Sequence, residues 1–279
     1  MKKFCALALA LFAISSLFAG FELRTLNVAM TLNPDGSAHT TEEARLFIDG
    51  NSSIRLYEES IVFNDLSSWT TRTEISDLRT HVSRAYVDIV DLRVRPQSVE
   101  GCNNIAQTCY ATIILDYDIY PIEDGKFGMV FAERYKPRTT RHSVRSDVFS
   151  FARSKTDDII LPKGYSLEIT VPQNSKSITF SRVPDNVDAD TTLFRFDSKS
   201  GSNHYLGQER KFIWSDQTLS QFSLTYETEQ SLEEEISEFF SGLQTKIFLL
   251  LLSASGMAYV LASVSLILPL IWLHSLETK

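Results

Sequence analysis

The stretch LNVAMTLNPDGSAHTTEEARLFID, residues 26–49, decides the fold class of this chain. Its first seven residues alternate between apolar and smaller or polar side chains, which is the period of a strand with one buried face. The NPDGS that follows has the composition of a turn, because Pro34 fixes φ and Gly36 tolerates a positive φ. The alternation then resumes, so residues 22–49 are predicted to form a β-hairpin.

Similar alternating runs recur along most of the remaining chain. Short strands at this spacing favour an antiparallel β-sandwich. We therefore predict a mainly β fold over residues 20–228, built as one large sandwich or as two small lobes with a boundary near residues 120–128. The runs are SRAYVDIVDLRV (83–94), YATIILDYDIY (110–120), YSLEITV (165–171), SITFSRV (177–183), TLFRFD (192–197) and SQFSLTYE (220–227).

The hydrophobic period changes after Tyr226. SLEEEISEFFSGLQTK, residues 231–246, has the 3.6-residue period of an amphipathic helix. The apolar face of this predicted juxtamembrane helix, residues 229–246, has three candidate contacts: its own β region, a partner helix or the membrane surface. The apolar residues are Leu232, Ile236, Phe239, Phe240 and Leu243.

Two hydrophobic segments frame the chain. Residues 247–273 are almost wholly apolar and exceed the roughly 20 residues that cross a bilayer as a helix. They are predicted to be a transmembrane helix, followed by a cytoplasmic tail at 274–279. Residues 1–19 carry two lysines, then an apolar run that ends in a small residue, which is the pattern of a cleaved signal peptide. The alternative is an uncleaved anchor, which gives two spans with both ends inside.

A cleaved signal peptide makes the chain a single-pass protein of the cell membrane, with its ectodomain outside the cytoplasm and membrane lipid around its span. The formal net charge of −8 disfavours nucleic acid as a partner. Within the span, Ala254, Ala258 and Ala262 repeat every four residues and form a candidate helix-packing ridge. Small residues on one ridge let helices approach closely, so self-association is a second predicted use of the span. A chance spacing in a plain anchor is the alternative.

The layout resembles a class of exported archaeal membrane proteins, single-pass and with β-rich ectodomains. The resemblance rests on LNPDGSAHTTEEARLFI, ILPKGYSLEITVP and FIWSDQTLSQFSLTYE, set between a signal peptide and a C-terminal span. These segments contain a DG turn after a strand and an LP-x-G turn before one. The class has no established activity, so the resemblance implies the architecture and assigns no functional residue.

Cys102 and Cys109 bracket the six residues NNIAQT between two strand-like runs. In an exported protein, two thiols at the ends of a tight loop are expected to oxidise to a structural disulfide. A metal site needs more ligands than two, and a redox-active pair usually has the shorter C-x-x-C spacing.

RYKPRTTRHSVR is a basic cluster in an otherwise acidic chain. Such a cluster is a candidate site for an anionic glycan or an acidic partner. The alternative is structural, because arginines on strands also pair with carboxylates across the sheet. The basic residues are Arg134, Lys136, Arg138, Arg141 and Arg145.

The other candidate sites are weaker. DNVDAD gathers Asp185, Asp188 and Asp190 beside Asn186, oxygen ligands that calcium uses, but no EF-hand spacing is present and a solvated acidic loop is favoured. The five histidines are scattered singly, and GYSLE ends in Glu168 where a nucleophile elbow has glycine. The sequence therefore predicts no metal, no cofactor and no catalytic residue.

Asn51 begins a glycosylation sequon in a predicted turn.

Three functional hypotheses follow. The first is a non-enzymatic cell-surface protein that recognises or adheres, with a glycan or a protein as its partner. The second is a structural or accessory subunit of a membrane or envelope complex, assembled through the transmembrane helix. The third is an exported hydrolase whose nucleophile and base are not evident in the sequence.

Overall fold

The computed structural model describes residues 20–122, 128–136, 138–187, 193–198 and 201–252. Strands dominate the described residues, and two short α-helices, one long α-helix and a 3₁₀ turn at Ser146–Val148 accompany them. In chain order the elements are β1 Gly20–Leu32, β2 Ala38–Asp49, α1 Asn51–Ser60, α2 Leu66–Thr73, β3 Val87–Pro96, β4 Glu100–Asn103, β5 Thr108–Pro121, β6 Val130–Lys136, β7 Thr139–Val144, β8 Ala152–Arg153, β9 Ile159–Ile160, β10 Tyr165–Thr170, β11 Ser175–Phe180, β12 Phe194–Asp197, β13 Ser202–Tyr205, β14 Lys211–Ser215, β15 Thr218–Leu219, β16 Leu224–Glu229 and α3 Leu232–Leu252.

The predicted hairpin is confirmed by β1 and β2, which pair antiparallel from Leu32 opposite Ala38 to Gly20 opposite Asp49. In the turn, the Asp35 carboxylate accepts hydrogen bonds from the backbone and the hydroxyl of Ser37. Gly36 has φ +85°, the positive value that the turn requires. The alternating residues of both strands supply buried side chains to one face.

The hairpin lies inside a seven-stranded sheet with the order β14-β10-β1-β2-β5-β3, and β4 pairs with the end of β5. One pairing departs from the predicted antiparallel arrangement, because β1 and β10 run parallel. The sequence period cannot distinguish these cases, since parallel and antiparallel strands both alternate with a period of two. The sheet is therefore mixed.

A six-stranded antiparallel sheet has the order β12-β13-β11-β16-β7-β6, and a small sheet joins β15, β9 and β8. The inward faces of the two large sheets contribute to one buried apolar cluster. Phe180 of β11 shows the contact between them: its ring lies 4.7 Å from that of Phe212 and 6.0 Å from that of Trp214, both on β14. One face of the six-stranded sheet is thus buried, and the opposite face is directed towards solvent.

Helices α1 and α2 were not predicted. Their sequences, NSSIRLYEES and LSSWTTRT, are polar and each provides only one large buried side chain, Tyr57 or Trp69. These two rings lie 5.1 Å apart, so tertiary packing holds the helices in place. Asn51 is consequently the first residue of a helix and not part of a turn, and its side chain is exposed.

The predicted disulfide is present. Cys102 at the end of β4 and Cys109 at the start of β5 are bonded, and they close the loop between two antiparallel strands. Ile105 at the tip of this loop is 98 % exposed.

The chain divides into two units, one that ends at Glu229 and one that begins at Gln230. In the second unit, α3 continues without interruption across the boundary predicted at residues 246 and 247. Within the described part of the chain, no helix combines the length and the apolar character needed to cross a membrane. Four predicted features lie outside the described residues. They are the signal peptide (1–19), most of the transmembrane span, its alanine ridge and the C-terminal tail.

Candidate functional site

The solvent side of the six-stranded sheet carries a groove of about 550 Å³. This volume lies in the range of small-molecule sites. All six strands or their ends contribute to its lining. The lining residues are Glu133, Arg141, Ser143, Ser177, Thr179, Asp197, Ser202, His204, Ser223, Thr225 and Glu227.

The strand period places hydroxyl groups in this groove. Val144, Phe180 and Leu224 point into the core, so the residues beside them in sequence, Ser143, Thr179 and Ser223, point to the opposite face. The register then aligns one side chain from each of four neighbouring strands. This row is Ser143, Thr225, Thr179 and His204.

Six of the eleven lining residues are serine or threonine. A hydroxyl has one donor hydrogen and two acceptor lone pairs, so it accepts and donates towards a ligand at the same time. The Thr179 and Thr225 hydroxyls bond to each other, and each retains capacity for a further hydrogen bond. The groove is therefore suited to a ligand rich in hydroxyl or amide groups.

The charged residues of the groove include one defined ion pair. Arg141 donates to Glu227 Oε1 from Nη2 at 2.9 Å and from Nε at 3.3 Å, and its guanidinium lies 3.8 Å from the centre of the Tyr135 ring. The bond to Glu227, with a smaller contribution from Tyr135, raises the pKa of Arg141. Glu133 on β6 stands directly opposite Arg141 in the register.

The structure distributes the predicted basic cluster along β6, β7 and the residues around them. Arg141 lies in the groove and pairs with Glu227 on the neighbouring strand β16. Arg145 follows β7 and pairs with Asp147. Lys136 lies at the end of β6, with its ammonium 5.1 Å from the centre of the Tyr135 ring. Strand alternation puts Arg134 on the face opposite Glu133. Arg138 lies in the turn between β6 and β7.

The acidic loop is bound to β14 through its first two residues. The Asp185 carboxylate accepts hydrogen bonds from the backbone and hydroxyl of Ser215 and from the side chain of Gln217. The Asn186 side chain bonds to the backbone of Lys211 and of Ile213. Asp188 and Asp190 lie outside the described residues. Among the described side chains, no group of three or more metal-ligating residues comes together.

A buried polar cluster in the seven-stranded sheet was not predicted. Glu42 on β2 is fully buried, and its Oε1 accepts from the backbone N–H of His81 at 2.7 Å and from the Tyr117 hydroxyl. His81 Nδ1 lies 2.8 Å from Glu42 Oε2, and its Nε2 lies 3.7 Å from an oxygen of Asp77, an ion-pair contact. Asp77 also accepts a hydrogen bond of 2.5 Å from Tyr165.

This environment shifts the pKa values of the cluster. Burial acts to lower the pKa of His81, but Asp77 and Glu42 together outweigh burial and raise that pKa above its ordinary value of 6.5. His81, with its neighbours, lowers the pKa of Asp77 well below 3.8. Burial, together with the Glu42 carboxylate, raises the pKa of Tyr117. The cluster is enclosed, since Glu42, His81 and Tyr117 are each at most 1 % exposed.

Known proteins resemble this chain only weakly. No family model matches the chain, and no curated protein matches it. Among solved structures, it is similar to yeast LTA4 hydrolase in complex with bestatin, at 8 % identity and a TM-score of 0.32 over 74 % of this chain and 28 % of that one. It is also similar to a Parabacteroides distasonis protein provisionally described as a protease, at 11 % identity and a TM-score of 0.23 over 75 % and 40 % of the two chains. Likenesses this weak carry no argument about the function of this chain.

Proposed function

We propose that this protein is a non-enzymatic recognition protein of the cell surface, and that the groove on the six-stranded sheet binds carbohydrate. The β region is proposed to be a sandwich outside the cytoplasm, joined through α3 to a transmembrane helix. The observation that carries the proposal is the row of serine and threonine hydroxyls across neighbouring strands of one sheet.

A carbohydrate fits this groove better than an apolar ligand does. Sugar hydroxyls donate and accept hydrogen bonds, and the groove offers hydroxyls with the same dual capacity. Sugar rings also have apolar C–H faces. Phe131, which strand alternation puts on the same side of β6 as Glu133, is 57 % exposed at the edge of the groove and offers an apolar ring to such a face.

The absence of catalytic function is part of the proposal. Two carboxylate–histidine clusters are present among the described residues. The one around Glu42 and His81 lies in the core, away from solvent. The other, His39 with Asp116 and Asp118, is exposed on the seven-stranded sheet and lies outside the groove. In the groove itself, His204 makes no hydrogen bond to a hydroxyl or a carboxylate of the described residues, so no nucleophile–base pair is formed there.

The test is a binding assay of the full-length protein in detergent or in nanodiscs. A panel of short neutral oligosaccharides is titrated by calorimetry, first against the wild type and then against Thr225→Val. Valine keeps the shape of threonine and removes one hydroxyl from the middle of the row. We expect a loss of affinity of roughly three- to tenfold, as for one neutral hydrogen bond.

The matched control is Thr112→Val, at a half-buried position on β5 in the other large sheet. Its affinity for the same oligosaccharide should equal that of the wild type. A panel without any binding, or equal binding by wild type and Thr225→Val, contradicts a carbohydrate site in this groove.

A further inference from the structure

The side chain of Asn51 is positioned for covalent modification. Asn51 is the first residue of α1 and is exposed, and its side chain makes no hydrogen bond within the part of the chain that the structure describes. The residue before it, Gly50, has φ +86°, and its backbone N–H donates to the Gln107 carbonyl at 2.8 Å. The amide nitrogen of Asn51 therefore faces solvent from a backbone that is held in place.

The sequence around Asn51 has the pattern of a glycan acceptor. Asn51-Ser52-Ser53 is the only place in the whole sequence where asparagine is followed by a residue other than proline and then by serine or threonine. This is the acceptor pattern for N-glycosylation in exported proteins. A match of three residues also arises by chance, so exposure and location decide whether the pattern is used. Asn51 has the exposure, and the proposed site of the β region outside the cytoplasm supplies the location.

We propose that Asn51 carries an N-linked oligosaccharide. This inference rests on the proposed location of the β region outside the cytoplasm, and it is independent of what the groove binds. In the transfer, Nδ2 of Asn51 attacks C1 of an oligosaccharide that is bound to a lipid through a phosphate. A C1–Nδ2 bond forms and the bond from C1 to the phosphate oxygen breaks. The lipid phosphate leaves with the bonding electrons, and one Nδ2 proton passes to a base of the transferase.

Ser53 indicates when the oligosaccharide is added. Its hydroxyl completes the acceptor pattern, but in the folded chain Ser53 is 1 % exposed and its Oγ accepts a hydrogen bond of 2.8 Å from the backbone N–H of Gly20. The Tyr57 hydroxyl holds α1 further by donating to the Gln97 carbonyl at 2.7 Å. A transferase that reads the serine hydroxyl cannot reach it in this state. The transfer is therefore expected during export, before β1 and α1 come together.

The modification can be followed on one peptide. Trypsin cleaves after Arg45 and Arg55, and the peptide between these sites, residues 46–55, contains Asn51 as its sole asparagine. Full-length protein is purified from the membranes of the organism that makes it, and this peptide is analysed by mass spectrometry. We expect most of the peptide to carry the added mass of an oligosaccharide and to release sugar fragment ions. Recovery of the peptide entirely without added mass overturns the inference.

Matched variants in the same organism test the assignment of the acceptor. Asn51→Gln keeps an exposed amide and should lose the oligosaccharide. Ser53→Ala should lose it too, whereas Ser53→Thr, which keeps the hydroxyl, should be modified like the wild type. Ser52→Ala, at the exposed middle position, is the control and should also be modified. An oligosaccharide that persists in Asn51→Gln lies elsewhere in the chain and overturns the proposal.

The order of events has its own test. Unmodified, folded full-length protein and a synthetic peptide of residues 46–55 are each incubated with the organism's membranes and the lipid-linked donor. The peptide should be modified and the folded protein should not. Equal modification of both shows that the buried Ser53 hydroxyl does not protect the site, and it overturns the expected order.

Protease added to intact cells distinguishes failure of this inference from failure of the proposed function. If protease digests the β region and Asn51 is unmodified, the inference fails and the location outside the cytoplasm stands. If the β region is protected and Asn51 is unmodified, the proposed location fails together with the inference.

Discussion

At the scale of single residues, the Glu42 carboxylate shows how much the fold depends on partners that are distant in sequence. A fully buried carboxylate is costly unless it is hydrogen-bonded and paired. Glu42 has both kinds of partner, since His81 and Tyr117 converge on it from other parts of the chain. The cluster therefore stabilises the packing of β2, β5 and the segment that contains His81.

A sequence signal for this cluster existed. Extending the alternation of β2 back from Ala44 puts Glu42 and Thr40 at inward positions, where polar residues need partners. The partner of Glu42 could not be predicted from the sequence pattern, because His81 lies 39 residues away in a segment without regular structure.

The groove was not predicted for a similar reason. Its hydroxyls form a row only when strands β7, β16, β11 and β13 are aligned in the sheet.

The first prediction concerns His81 and pH. Its raised pKa means that protonated His81 stabilises the fold fully below the unfolded pKa of about 6.5, and that this stabilisation is lost as pH rises through the folded pKa. The thermal midpoint, followed by the fluorescence of buried Trp69 and Trp214, should fall for this reason as the pH rises above about 6.5. His81→Ala should cost about 3–5 kcal/mol at pH 6, because Glu42 loses its charged partner.

Other groups also change the stability with pH, so the thermal midpoint of His81→Ala is compared with that of the wild type at each pH. His142, whose pKa burial lowers, contributes a pH dependence of the opposite sign. Asp77 acts in another range: its lowered pKa gives stability that is lost as pH falls below about 3.8. The difference in thermal midpoint between His81→Ala and the wild type should narrow as the pH rises above about 6.5. A constant gap would show that His81 acts only through packing.

At the scale of secondary-structure elements, local pattern predicted the strands well and the short helices poorly. The hairpin was expected over residues 22–49 and is observed from Gly20 to Asp49. Its side-chain period is a local property of the chain. Helices α1 and α2 have weak local preference and depend on the Tyr57–Trp69 contact, which no window of sequence contains in isolation. The parallel pairing of β1 with β10 is equally non-local.

The disulfide between β4 and β5 gives a prediction at this scale. It closes a loop with a sequence separation of 7, which is worth roughly 2.5 kcal/mol in the chain-entropy model. Reduction of the wild type should lower its free energy of unfolding by about that amount. The double variant Cys102→Ser/Cys109→Ser should be insensitive to reductant, which makes it the control for effects of the reductant elsewhere.

Thiol labelling tests the pairing itself. With residues 1–19 removed, the mature chain has only these two cysteines. Labelling of the denatured, unreduced protein should therefore find no free thiol. Labelling of both cysteines under those conditions would show that the bond does not form in the cell.

At the scale of the whole molecule, the two units differ in the hydrophobic period of their sequences. Period-two alternation ends with β16 at Glu229, and a helical period begins with α3 at Leu232. Several apolar side chains of α3 are at least 40 % exposed, including Ile236 and Leu243. The change of period near Gln230 follows from the geometry of the two elements, because side chains alternate with a period of two along a strand and of 3.6 along a helix.

The last prediction tests whether the chain is held at a membrane by its C-terminal segment. Residues 247–273 are predicted to be its sole anchor, since the hydrophobic segment at 1–19 is expected to be cleaved. A chain truncated after residue 229 should then leave the membrane fraction, whereas the full-length chain should resist extraction with alkaline carbonate. A chain truncated after residue 252 keeps α3 and should also be released, because it retains only the first six residues of the apolar run that begins at residue 247, and about 20 are needed to cross a bilayer.

Mass spectrometry of the released chain gives the matching control, since cleavage predicts an N-terminus at residue 20. If the chain truncated after residue 229 remains in the membrane and still begins at Met1, the N-terminal segment is itself an anchor. The protein then has two spans, and its ectodomain is tethered at both ends. The single-anchor arrangement requires that both truncated chains are released and that residues 1–19 are removed from them. Residues 20–252 contain no apolar run in their sequence that is long enough to span a bilayer, so nothing in them should hold the chain in the membrane.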